Sequence, residues 1–156
     1  MQRREFFKKM GSVAAVGAVI PMMSFAEEAK KLTGPNEFSY EKALKIITDG
    51  KGAVASAKVT LKAPEIAENG AVVPVTVEVE SPMTESDYVK TIHIFATKNN
   101  NSRCISVHLT PANAKAMFSA RVKLGSTQDV VALVEMSDGS FLSAAQNVKV
   151  TIGGCG

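Results

Sequence analysis

The two cysteines of the 156-residue chain, Cys104 and Cys155, stand in opposite settings. Cys155 is the penultimate residue, preceded by Gly153-Gly154 and followed by Gly156. Glycine has no Cβ, accepts almost any backbone region and loses the most entropy when ordered. The last four residues therefore read as a thin, flexible arm with one thiol near its tip. Three extended residues beyond Ile152 would carry that thiol about 10 Å past the last strand. Such a tether suits a cargo held covalently on sulfur and presented to narrow active sites on other proteins. Two other readings stand beside it: a frayed terminus with an incidental cysteine, and a disulfide between Cys155 and Cys104. Exposed free thiols oxidise and are usually avoided, which argues against the first. A disulfide would freeze the segment that glycine leaves free, which argues against the second. The α-carboxylate of Gly156 sits one residue from the thiol, and the nearest basic residue in sequence is Lys149. A neighbouring negative charge disfavours the thiolate, so Cys155 is expected to ionise at or above the ordinary value of about 8.5.

Cys104 alternates with Ser106 and His108, opposite Ile105, Val107 and Leu109. It reads as a small residue on the polar face of a strand. Cys104 and His108, four apart on a strand, lie about 13 Å from each other, too far to share a metal. His93 reads as a structural histidine. The chain has no CxxC pair, HExxH motif, glycine-rich phosphate loop or nucleophile elbow. No catalytic residue, metal site or cofactor is assigned.

The elements that must position the arm show as a period of two. Val73, Val75, Val77 and Val79 alternate with polar residues, as do Ile92 and Ile94, then Ile105 to Leu109, Phe118 to Leu124, and Val148, Val150 and Ile152. A further strand lies around Lys58 to Leu61. Val130 to Val134 is apolar on both faces, which makes it either a central strand or one with a face turned to a partner. Asn69-Gly70, Ser81-Pro82, Asn99 to Asn101, Gly125 and Asp138-Gly139 supply the turns. About seven short strands at this spacing predict a mainly β fold, an immunoglobulin-like antiparallel β-sandwich. Ahead of it, Ser39 should cap a short helix with Tyr40, Ala43, Leu44 and Ile47 on one face, ended by Gly50 and Gly52.

Arg3-Arg4, an apolar run from Met10 to Met23 and the small residues of Ser24-Phe25-Ala26 have the layout of a twin-arginine signal peptide. The apolar run is too short to span a bilayer well. The expected organisation is a signal over 1–26, an N-terminal helical segment over 27–52, the sandwich over 53–152 and the arm over 153–156. Export to the periplasm by the folded-protein route follows, with no membrane contact after cleavage. The signal holds four of the 18 basic residues and one of the 15 acidic ones, so residues 27–156 carry a formal net charge of zero. Nothing remains to argue for nucleic acid, which needs a basic stripe.

Three stretches, Lys62 to Val75, Lys123 to Val131 and Val148 to Gly156, together with the twin-arginine signal, resemble the SoxY family of bacterial thiosulfate oxidation. The resemblance implies a carrier that takes thiosulfate-derived sulfur on Cys155 and catalyses no step itself. It also implies a heterodimer with a SoxZ-like subunit, exported as a pair. Transient contacts would follow with a haem-containing sulfur transferase, a sulfate-releasing hydrolase and a sulfane dehydrogenase. Two departures stand out: the family's ending is usually GGCGG, one glycine longer, and Cys104 is additional. Two rival functions remain open on the residues alone. One is an exported binding or assembly module, which would survive loss of residues 153–156. The other is a redox enzyme, which would need a resolving cysteine or an activating base in the same chain.

Overall fold

Ser39 starts the first helix. Its extended backbone turns the side chain back to accept a hydrogen bond from the Lys42 amide, and α1 then runs over Tyr40–Ile47. Thr48 closes it, and Gly50 and Gly52 take up the positive φ angles, +75° and +73°, that follow its end. The structure, a computed structural model, describes residues 38–154. The predicted signal over 1–26, the start of the helical segment, and Cys155 and Gly156 lie outside the described residues.

Nine strands follow: β1 (Val54–Ala55), β2 (Val59–Lys62), β3 (Ile66–Asn69), β4 (Val73–Val79), β5 (Val89–Ala96), β6 (Arg103–His108), β7 (Ala116–Val122), β8 (Gln128–Met136) and β9 (Phe141–Ile152). One sheet has the order β1-β9-β8-β5-β6, with β3 also paired to β9; the other has the order β2-β4-β7. The two pack as the expected sandwich. The alternation on β4 translates directly into burial, with Val73, Val75, Val77 and Val79 inward and Pro74, Glu78 and their neighbours outward. These valines meet Ile92 and Ile94 of β5, Val130, Ala132 and Val134 of β8, and Val148 of β9 in the main core.

Two features, the first and the third, differ from the sequence-based expectation, and the second decides between its alternatives, since β8 is the central strand of its sheet. The pairing is not wholly antiparallel: β1 and β3 both run parallel to β9, with Val54 opposite Leu142 and Ile66 opposite Lys149. Residues 54–69 thus touch one sheet, cross to the other as β2, and return to brace the last third of β9. Second, the apolar second face of β8 is not left for a partner. Val131 and Leu133 join Phe95 in a smaller core against Ala43 of α1, flanked by Tyr40, Leu44 and Ile47. Tyr40 meets the Phe95 ring edge-on at 5.6 Å. Third, Cys104 does not share the polar face of Ser106 and His108. Ile94 pairs with Ile105 but Phe95 pairs with Arg103, so a bulge leaves Cys104 without an opposite residue and turns it against the main core.

Candidate functional site

Ile152 is the last residue of β9, and the chain does not come free after it. The Gly70 amide donates to the Ile152 carbonyl at 2.7 Å, the Leu124 amide donates to the Gly70 carbonyl at 2.7 Å, and the Gly154 amide donates to the Leu124 carbonyl at 3.0 Å. Three backbone segments, 70, 124 and 152–154, are clasped together at one end of the sandwich. The clasp requires glycine. A Cβ on Gly154 would lie 2.7 Å from both Cα and N of Ala71, and one on Gly153 would strike the Gly125 carbonyl. A Cβ on Gly70 would meet the Leu124 carbonyl, Val150 Cγ1 at 2.8 Å and the Gly154 nitrogen at 2.9 Å. The sequence reading put the free arm at Gly153. In the structure Gly153 and Gly154, the described part of that arm, lie in close backbone approach to Gly125 and to the 70–71 turn.

The clasp rests on a braced platform. Asn69 accepts from the Ala71 amide at 2.9 Å and shapes the turn before β4. Asn99, in the β5–β6 turn, donates to the Lys123 carbonyl at 2.8 Å and accepts from the Gly125 amide at 3.0 Å. Buried Gln128 donates to Asn99 and to the Ser126 carbonyl, and its own oxygen accepts from the Lys98 amide at 2.8 Å. The turns at 69–72, 97–101 and 123–127 therefore form one hydrogen-bonded end on which the arm is mounted. Sequence reasoning recognised Asn69-Gly70, Asn99 and Gly125 as turn residues, but their role as the arm's seat depends on long-range pairing.

Cys155 and Gly156 lie outside the described residues, so the arm's thiol is placed only by its covalent attachment to Gly154. Cys104 is a free thiol, mostly buried, with Sγ 3.7 Å from the Ser102 carbonyl, and burial pushes its pKa up to about 11. Among the described residues it is in no disulfide, and it is a poor nucleophile at neutral pH. His93 is buried on the outer face of β5, where Nδ1 meets the Ser106 hydroxyl at 2.8 Å and Nε2 has no partner among the described residues. Desolvation drives its pKa down to about 4, with Glu135 opposing and His108 and Arg103 reinforcing. Among the described residues no three His, Cys, Asp or Glu side chains gather as a metal site would need.

Comparison with known proteins adds three findings. The family model described as "Sulfur oxidation protein SoxY" matches residues 44–155, which take in the second half of α1, all nine strands and Cys155. Among solved structures, the sulfur carrier protein SoxY from Chlorobium limicola f thiosulfatophilum superposes with a TM-score of 0.59 at 32% identity, covering 69% of this chain and 88% of that one. A superoxide reductase (neelaredoxin) from Ignicoccus hospitalis superposes with a TM-score of 0.54 at 18% identity, covering 60% and 80%, a likeness of fold alone. No curated protein matches.

Proposed function

The chain belongs to the SoxY family, and from that premise we propose that it is a periplasmic sulfur carrier holding thiosulfate-derived sulfur as a covalent adduct on Cys155. The observation that supports this reading is the glycine clasp at the braced end of the sandwich, whose last described residue, Gly154, is the residue before Cys155. A thiol fixed to the body could serve one active site only. A thiol one residue beyond the last held backbone atom can be presented to several enzymes while its root stays in register. The chain itself acts as carrier, and partner enzymes load and unload it: a haem-containing sulfur transferase, a sulfate-releasing hydrolase and a sulfane dehydrogenase. A SoxZ-like subunit completes the heterodimer, and the twin-arginine signal over 1–26 delivers the folded pair to the periplasm. The rival reading, a binding module with an incidental terminal cysteine, leaves the glycine clasp without purpose.

The test is intact-mass spectrometry of protein from thiosulfate-fed cells. Wild-type protein should carry sulfur or sulfonate adducts, and Cys155→Ser should carry none while keeping its fold and its partner. Cys104→Ser should load normally. Full thiosulfate turnover by Cys155→Ser in a reconstituted system would overturn the carrier reading.

A further inference from the structure

The turn between β3 and β4 is built on Asn69-Gly70, the chain's one Asn-Gly pair. The fold leaves little choice at either position. Gly70 is buried, and a Cβ there would strike the Leu124 carbonyl and meet Val150 Cγ1 at 2.8 Å. Asn69 is exposed at the end of β3, opposite Ile152 of β9, and its Oδ1 accepts the Ala71 amide at 2.9 Å. A side-chain amide followed by glycine is open to attack by the next backbone nitrogen, because no Cβ on the second residue hinders ring closure. The Gly70 nitrogen would give up its proton to solvent base and bond to Asn69 Cγ. The Nδ2 group would leave as ammonia, and a cyclic imide would join the two residues. Water then opens the imide at either carbonyl, leaving aspartate or isoaspartate. The isoaspartyl backbone runs through the former side chain and is one methylene longer. Nothing is oxidised or reduced, and water is the only co-reactant.

Two sets of hydrogen bonds divide this reaction into a prepared half and a locked half. The Ala71 amide already points at Oδ1, the oxygen on which negative charge grows as Cγ becomes tetrahedral. The nucleophile is withheld. The Gly70 amide donates to the Ile152 carbonyl at 2.7 Å, and the Gly70 carbonyl accepts from the Leu124 amide at 2.7 Å, so Gly70 is held on both sides. Ring closure must turn the Asn69–Gly70 peptide out of the line of β3 and break its bond to Ile152. The group that withholds the nucleophile therefore belongs to the root of the C-terminal segment, which Gly154 fastens again at the Leu124 carbonyl, 3.0 Å away. We infer that Asn69-Gly70 is a site of spontaneous deamidation, kept latent while residues 152–154 are seated and reactive when they lift. The product would make the lifting permanent. With a methylene added before Gly70, that residue can no longer meet Ile152 and Leu124 in the register that both bonds need. The inference does not depend on what Cys155 carries.

The experiment incubates the purified protein at pH 8 and follows each asparagine by peptide mapping and mass spectrometry, which separates asparagine, aspartate and isoaspartate. In guanidinium-unfolded chain Asn69 should convert well ahead of Asn147, whose neighbour Val148 is β-branched. In native protein Asn69 should convert about tenfold more slowly or less, by local opening, at a rate that does not respond to urea below the unfolding transition. Gly154→Ala, whose Cβ would collide with the 70–71 turn, should raise the native rate at least about threefold with the melting temperature unchanged. Isolated isoaspartyl protein should exchange its Gly154 amide freely. No conversion of Asn69 in the unfolded chain would overturn the site. Equal rates in native and unfolded protein, a native rate that climbs with urea, or one indifferent to Gly154→Ala would overturn residues 152–154 as its lock. A protected Gly154 amide in the isoaspartyl protein would overturn the unseating.

Discussion

Cys104 packs against the core, and its reactivity should differ measurably from that of Cys155. Cys104 is held by a bulge against the core and its pKa is about 11, so almost no thiolate exists near neutrality. Cys155 follows a glycine pair, and an ordinary thiol is half ionised near about pH 8.5. In native protein at pH 8, iodoacetamide should therefore add one group, on Cys155, with a rate still climbing between pH 8 and 9. Cys104 should react only after denaturation. Two native adducts of equal rate, or a rate that levels off below pH 8, would contradict this. His93 gives a second residue-scale prediction. Its pKa is about 4 in the fold against about 6.5 unfolded, so between those values the unfolded chain binds the extra proton. Stability contributed by the neutral ring is complete above pH 6.5 and is lost as the pH falls toward 4. The loss is up to roughly 3 kcal/mol. Urea titrations at pH 7 and pH 5 should show this fall in wild type and a smaller one in His93→Gln; equal falls would remove His93 as the cause.

At the scale of elements, the sequence was informative wherever one face of a strand is buried. The valines of β4 and the apolar face of α1 announce themselves because burial follows a local period. β1 and β3 carried no such signal. They are two and four residues long, and they exist only because β9 offers its edge in parallel. Cys104 was placed on the wrong face because a bulge is set by the partner strand, and α1 as the cover of Val131 and Leu133 is likewise a tertiary fact. The arm glycines were legible as glycines, but the close approach of Gly153 and Gly154 to Gly125 and the 70–71 turn depends on long-range packing and left no local signal. That distinction can be tested. Gly70→Ala drives a Cβ into the Leu124 carbonyl inside the clasp and should cost about 1–3 kcal/mol in denaturant unfolding. Gly154→Ala collides only with the 70–71 turn, and the tail can escape by letting go of Leu124. Its melting temperature should hardly change, while the amide of residue 154, protected from hydrogen exchange in wild type, should exchange freely. Fast exchange of Gly154 in the wild-type protein would mean that the clasp ends at Ile152.

At the scale of the whole molecule, the proposed SoxZ-like subunit would have to be recognised by a chain whose residues 27–156 carry no net charge. With the second face of β8 covered by α1, apolar surface for a partner must lie elsewhere. Among the described residues six large hydrophobic side chains are exposed, and Ile46 on α1 and Val54 on β1, at 60% and 69%, are two of them. The long-range field offers little help, because residues 27–156 carry equal numbers of acidic and basic side chains and charges are screened beyond about 10 Å at moderate salt. Association with a SoxZ-like subunit should therefore be driven by buried apolar area, about 1,600 Å² in a standard interface, rather than by steering. Its affinity should then change by less than about threefold between 50 and 500 mM salt, whereas a charge-steered pair loses far more. Ile46→Lys/Val54→Lys should weaken the pair by about tenfold or more, the loss of roughly one buried aliphatic side chain, without lowering the carrier's own melting temperature. Sedimentation velocity across the salt series reads both quantities. A steep salt dependence, or indifference to the double lysine variant, would move the interface away from the α1–β1 surface and toward the charged strands of the opposite sheet.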